Sequence, residues 1–130
     1  MKSGRKPQNI TDRELDLLKI LWEAPEGLLV REIVERHPDP RPHVNTVATL
    51  IKILEEKGHV NHTAEGNAFR YHAITRKEDL RNKSLKAVIG NFFGNSYKSA
   101  VSALVADEKI TVDELKEIIE MVEKENKDNG

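Results

Sequence analysis

A glycine set between an amphipathic helix and two alternating segments constrains this chain more than any other feature. From Arg41 to Ile74 the sequence reads RPHVNTVATLIKILEEKGHVNHTAEGNAFRYHAI. Val44, Val47, Leu50, Ile51 and Leu54 recur at helical spacing and predict a core-facing stripe. Asn45, Thr46, Thr49 and Lys52 fall on the other side. Gly58 follows Lys57 as a helix stop, because glycine accepts the left-handed conformation needed there. His59 to Thr63 and Ala68 to Ile74 then read as short strands, and Glu65-Gly66-Asn67 between them is turn chemistry. A helix with a short-polar outer face, followed by a hairpin, is the form in which a winged helix-turn-helix meets DNA.

The segments before this stretch fit that reading. Residues 1–9 lack periodicity, and Lys2, Arg5 and Lys6 form a basic arm that either follows a DNA backbone or is simply a solvated terminus. Thr11 to about Trp22 predicts a first helix. Thr11 and Glu14 fit a capping box, and Ile10 and Leu15 fit a hydrophobic staple. Leu15, Leu18, Leu21 and Trp22 are its expected buried stripe. Pro25, Glu26 and Gly27 break the chain. Leu29 to His37 reads as a short second helix with Val30, Ile33 and Val34 inward, although Leu29 is a poor N-cap. Prolines 38, 40 and 42 make a stiff connector.

Beyond the hairpin three more helices are expected. Thr75 and Glu78 fit a second capping box, opening a helix over residues 75–94 with Leu80, Leu85, Val88, Ile89, Phe92 and Phe93 on its apolar side. Gly94-Asn95 ends it. A short helix follows to Val105, capped by Asn95 or Ser96, with Ala100, Val101, Leu104 and Val105 buried. Thr111 and Glu114 make a third box, stapled by Ile110 and Leu115. Leu115, Ile118, Ile119 and Val122 line the last helix, and the polar residues from Lys124 onward are expected to fray. A helical unit of about fifty residues rarely closes its own core without disulfides, metal or a partner. The chain has no cysteine, so the expected solution is a second copy.

The expected fold class is therefore mainly α with a small β-hairpin wing: a winged helix-turn-helix plus a C-terminal helical dimerisation domain. The expected divisions are a basic arm at 1–9, a DNA-binding domain at 10–75, a dimerisation domain at 76–124 and a polar tail at 125–130. The net charge of −1 does not announce a nucleic-acid partner. Residues 1–77 hold 13 Lys/Arg against 11 Asp/Glu, and residues 78–130 hold 8 against 11. The excess of basic charge lies in the first part, and only the face that meets phosphate need be basic. No apolar run is long enough to span a membrane, and no secretion signal opens the chain. A cytoplasmic protein is expected.

ITDRELDLLKILWE, LLVREIVE, NTVATLIKILEEKGHV, EGNAFRYHAI, the FFGNS turn and ITVDELKEI resemble, in order and spacing, the penicillinase repressor family of bacterial regulators, of the BlaI, MecI and CopY type. The resemblance covers about residues 10–123. It implies a homodimeric repressor on a dyad-symmetric double-stranded operator. It places recognition-helix roles on Asn45, Thr46, Ala48, Thr49 and Lys52, and a wing role on Arg70. Asn can pair with adenine through two hydrogen bonds, and Thr can touch a thymine methyl or bond a base edge. Lys52 would meet phosphate. Ala48 stands where relatives can carry a longer basic residue. Strand alternation puts Phe69 and Tyr71 on the core side, with Arg70 and His72 opposite. A surface salt bridge to Glu65 is the alternative role for Arg70. Phe92, Leu104, Leu115, Ile118 and Val122 are the candidate dimer contacts.

The sequence departs from the family's pattern twice. Copper-responsive relatives use C-terminal cysteines, which are absent here. Relatives controlled by an upstream sensor protease are cut at an Asn-Phe pair, and Ala103-Leu104 stands there instead. A protease directed to Asn-Phe is therefore not expected to cut this chain. His59 and His62 would point to opposite faces of a strand and do not make a metal pair. No catalytic constellation, metal set, cofactor motif or phosphate loop is evident in the sequence. The competing reading is a protein-interaction module built on the same fold.

Overall fold

The structure is a computed structural model that describes residues 9–129. The basic residues expected to form an arm, Lys2, Arg5 and Lys6, lie outside the described residues. The elements are α1 (Asp12–Trp22), β1 (Leu28–Leu29), α2 (Val30–Arg36), α3 (Val44–Glu56), β2 (Val60–Glu65), β3 (Ala68–Ala73), α4 (Lys77–Phe93), α5 (Tyr97–Ala106) and α6 (Val112–Asn129). The chain divides into two compact units between Arg81 and Asn82, inside α4. The division falls later than the expected boundary at 75/76. The first turn of α4 stays with the N-terminal unit because Leu80 packs against that unit's core.

In the N-terminal unit α1 is opened by the expected capping box. Glu14 N–H donates to Thr11 Oγ1 at 3.3 Å, and Thr11 N–H donates to Glu14 Oε1 at 3.1 Å. The buried face of α1 is Glu14, Leu17, Leu18 and Leu21, so the stripe is centred one position away from the expected one. Leu15 and Trp22 are only half-buried. The Trp22 indole N–H is satisfied by Thr75 O at 2.8 Å. Leu17, Leu18 and Leu21 join Leu28, Ile33, Val47, Ile51, Leu54, Val60 and Tyr71 in one core.

Helix α2 starts after Leu29, which cannot accept a capping bond through its side chain. Half a box remains: Leu29 N–H donates to Glu32 Oε1 at 2.9 Å. Helix α3 buries Val47, Ile51 and Leu54 as expected. Val44, expected inward, is its first residue, one turn ahead of the packed stripe, and is 43% exposed. Gly58 ends α3 with φ +90°. Its N–H reaches Glu55 O and the His59 N–H reaches Leu54 O, the paired bonds of a Schellman motif.

The sheet has three strands rather than two, in the order β1-β3-β2, all antiparallel neighbours. Glu65 faces Ala68 across a Gly66-Asn67 turn. The short β1 pairs Leu28 with Tyr71 and Leu29 with Arg70. Two residues carry no periodicity, so no sequence pattern announced it. Thr75 does not cap α4. Its side chain lies 2.6 Å from the ring of the buried His59, and the helix begins at Lys77.

The C-terminal unit has well-made helix starts and little interior. Ser96 Oγ accepts from Ser99 N–H at 3.1 Å. Thr111 and Glu114 form the expected reciprocal box at 2.9 and 3.1 Å. Helix α6 runs on to Asn129, through the polar residues that follow Lys124. Glu120/Lys124 and Glu123/Lys127 are spaced i, i+4 with the acid first, the arrangement that supports an isolated helix. Ile89 is the one buried residue among those described in this unit. Val101, Leu104 and Val105, expected inside, are exposed, as are Ile118, Ile119 and Val122.

Glu14 also joins α1 to the end of α3. Lys57 Nζ lies 2.7 Å from Glu14 Oε1 and donates to Asn9 O at 3.0 Å. Burial pushes the Glu14 carboxyl up. The Lys57 and Thr11 hydrogen bonds and the Lys57 charge outweigh that, so its pKa lies below the ordinary 4.5. The pair therefore stabilises the fold above about pH 4.5, and the contribution is lost as pH falls through the depressed folded value. Glu14→Gln should cost about 1–3 kcal/mol at neutral pH. In urea titrations across pH 3–7, the variant's stability should fall less on acidification than the parent's.

Candidate nucleic-acid interface

The outer face of α3 follows from its inner one. Once Val47, Ile51 and Leu54 are committed to the core, positions 45, 49, 52 and 56 share an arc of about 60° on the opposite side. Asn45, Thr49, Lys52 and Glu56 are all exposed. Thr46 lies on the flank and Ala48 at the edge, both half-buried. From its N-terminal end the stripe runs amide, hydroxyl, cation, anion. Among the described residues, no hydrogen bond or ion pair engages the side chains of Asn45 and Lys52.

The helix is held open at its start by an unusual cap. His43 Nδ1 accepts the Asn45 N–H at 3.0 Å, so a ring nitrogen does what a Ser or Asp oxygen usually does. Sequence reading placed the helix start near His43 without seeing this role, since histidine is not a common capping residue. Thr49 Oγ1 donates to Asn45 O at 3.0 Å, one turn back along the same helix.

The wing is braced on both faces. On one, the Arg70 guanidinium grips Glu65 with Nε to Oε1 at 2.8 Å and Nη2 to Oε2 at 2.9 Å. Its Nη1 donates to Gly27 O at 3.0 Å and lies 3.3 Å from Glu32 Oε1. Arg70 therefore ties β3 to the loop before β1 and to the first turn of α2. Arg70, carried over as the wing residue for DNA, has the salt bridge to Glu65 that was its alternative role, together with Gly27 O and Glu32. The Arg70 hydrogen bonds hold the Glu65 carboxyl below its ordinary range, and the pairing raises the Arg70 pKa.

On the other face His62 Nδ1 donates to Glu55 Oε2 of α3 at 2.7 Å. The His62 ring stacks on Phe69 with centroids 4.2 Å apart. Phe69 lies on the Tyr71 side of the hairpin, as alternation requires, but beyond the edge of the core. It is 46% exposed rather than buried. Tyr71 is buried, which pushes its hydroxyl pKa up, with the Glu55 charge adding to the effect. Among the described residues no cluster of His, Asp and Glu could hold a metal ion, and no helix is long and apolar enough to cross a membrane.

A sequence model of the penicillinase repressor family matches residues 10–124. The chain belongs to the penicillinase repressor family. It is 25% identical over 123 residues to the methicillin resistance regulatory protein MecI of Mammaliicoccus sciuri, covering 92% of this chain and 97% of that protein. It is 23% identical over 119 residues to the penicillinase repressor of Bacillus licheniformis, covering 92% and 93%. Among solved structures, the solution structure of the DNA-binding domain of the repressor BlaI aligns with a TM-score of 0.50 and 27% identity. That alignment covers 57% of this chain and 90% of that domain. The N-terminal unit is thus a winged helix, and a member of the penicillinase repressor family is a transcriptional regulator, not an enzyme. In this member Ala103 and Leu104 lie within α5. Leu104, expected to be buried, is 47% exposed.

Gly27 is the residue on which the wing's brace depends. Its φ is +88°, and a Cβ there would lie 2.5 Å from the His72 ring and 3.0 Å from Arg70 Cγ. Gly27→Ala should therefore destabilise the fold by about 1–3 kcal/mol, measured by urea unfolding. Amide exchange should speed up first in β3, where Arg70 and His72 would have to move.

Proposed function

We propose that this protein is a cytoplasmic transcriptional repressor that binds a dyad operator as a homodimer. The N-terminal unit lays α3 in the major groove and sets the wing beside it. The observation that carries the reading is the outward stripe of α3, whose Asn45 and Lys52 side chains are exposed on a helix fixed from behind by its core contacts. Asn45 and Thr49 read base edges, Lys52 meets phosphate, and Thr46 and Ala48 border the contact. Arg70 acts as a positioning residue that keeps the wing at a fixed angle to α2. The family relationship supports the same partner.

The second half of the proposal rests on the C-terminal unit. Phe92 is 77% exposed, and Leu104, Ile118 and Val122 are about half-exposed. Leu115 is half-buried. Apolar side chains at this density on so small a unit mark an association surface. A second copy covering them would join two winged helices, whose half-sites would lie about one helical turn of DNA apart, or a multiple of it. Release by a sensor protease cutting at an Asn-Phe pair is not part of the proposal, because Ala103-Leu104 occupies that place.

Two measurements test this. In binding assays on sequences selected from a random pool, Asn45→Ala should relax sequence preference, with a loss of roughly 1–3 kcal/mol on the preferred site. Lys52→Ala should weaken all sequences alike and flatten the salt dependence. Affinity that ignores both substitutions and salt would favour a protein-docking role, for which the exposed Phe69 is the best anchor. In sedimentation at micromolar concentration the full chain should be a dimer, and Ile118→Asp should shift it towards monomer. A parent protein that sediments as a monomer would sink the dimeric arrangement.

A further inference from the structure

The hydrogen bond within the outer stripe of α3 decides what Thr49 can say to a base. Thr49 Oγ1 lies 3.0 Å from Asn45 O. A carbonyl oxygen only accepts, so the hydroxyl proton must point back into the helix. What Thr49 then offers outward is a lone pair and a methyl group, and no donor. Ala48 beside it offers a methyl alone. Along the outer stripe itself, between Asn45 and Lys52, no side-chain N–H or O–H is left to give to guanine O6 or N7; the Thr46 hydroxyl lies off the stripe, on the helix flank.

We infer that Thr49 selects an A·T base pair, its methyl against the thymine 5-methyl and its lone pair towards the adenine N6 amino group. In the major groove only an A·T pair carries a methyl and an amino donor together. A G·C pair offers the cytosine amino group without the methyl, and places two acceptors where Thr49 has no proton to give. Asn45, with both an amide donor and an acceptor free, is matched to a second adenine. Four residues along a helix advance about 6 Å. At about 3.4 Å per base step, the two A·T pairs lie one or two steps apart within each half-site. This rests on the DNA reading above and adds the identity of the bases.

The experiment uses the full chain and the palindrome enriched from a random pool. Each thymine of a half-site is replaced in turn by uracil, which removes only the methyl. Each adenine is replaced by purine, which removes only the amino group. For the parent protein one uracil position should weaken binding about fourfold per half-site, the worth of one buried methyl-sized group. Its paired adenine should be sensitive to loss of the amino group. Thr49→Ser, which keeps the hydroxyl and loses the methyl, should no longer distinguish thymine from uracil at that position. Thr49→Val, which keeps a methyl and loses the oxygen, should still distinguish them but become indifferent to the adenine amino group. A palindrome bound tightly with no uracil effect that depends on Thr49 would overturn the inference and leave the DNA reading standing. So would a preference for a G·C pair abolished by Thr49→Val, since Thr49 would then be reading a pair that has no methyl. Failure to enrich any sequence would overturn both. Because the base analogues are read first on the parent protein, poor folding of a variant cannot hide the result.

Discussion

The corner at Gly58 and His59 is the constraint on which the N-terminal unit depends. It must end α3 and send the chain back antiparallel without leaving helix carbonyls bare in the core. Gly58 supplies the left-handed turn, and the His59 N–H closes the last turn onto Leu54 O. The His59 carbonyl then accepts from both Ile74 and Thr75 N–H, at 2.8 and 3.2 Å. Its buried ring meets the Thr75 hydroxyl. One residue thus joins the end of α3, the exit of the hairpin and the approach to α4. The Trp22 indole bonded to Thr75 O extends the same junction to α1.

From that corner the outer face of α3 follows by geometry. A helix packed along Val47, Ile51 and Leu54 has no freedom to rotate, so Asn45, Thr49 and Lys52 must face outward together. The wing is then fixed by polar side-chain pairs. Glu55 of α3 takes His62 on one face of the hairpin, while Glu65, Glu32 and Gly27 O take Arg70 on the other. These pairs lie at the surface, partly exposed, and each is worth little alone. Their value is positional: a two-strand hairpin has few core contacts of its own, and these set its angle to α2 and α3.

The two units solve burial differently. The first gathers ten aliphatic residues and a tyrosine into one core. The second holds the rest of α4 and two capped helices, α5 and α6, and among its described residues buries Ile89 alone. Local signals are strong there, in the Ser96 cap, the Thr111 box and the acid-before-lysine spacing of α6. Such terms are worth tenths to about 1 kcal/mol each and set where helices begin. They cannot supply the burial that holds helices together. That difference in core supports the proposed division of labour, in which the first unit meets DNA and the second is covered by another copy.

Much of this was legible in the residues alone. Gly58, the Gly66-Asn67 turn, the Thr11 and Thr111 boxes and the Val47-Ile51-Leu54 stripe act over a few residues, so the sequence by itself determined the helices, the hairpin and the direction in which Asn45, Thr49 and Lys52 point. The order of motifs also revealed the family. What tertiary structure decided are the contacts between residues far apart in the chain. Leu17 displaced Leu15 from the core because α1 presents the Glu14 side to Lys57. Thr75 left its capping role because the His59 ring claimed it. The two residues of β1 became a strand only because β3 had a free edge. Arg70, which alternation could place on a face but not give a partner, closed on Glu65 and Glu32 because the fold brought two carboxylates around it. Side-chain direction is periodic and therefore local, whereas the partner that waits there depends on how distant segments pack.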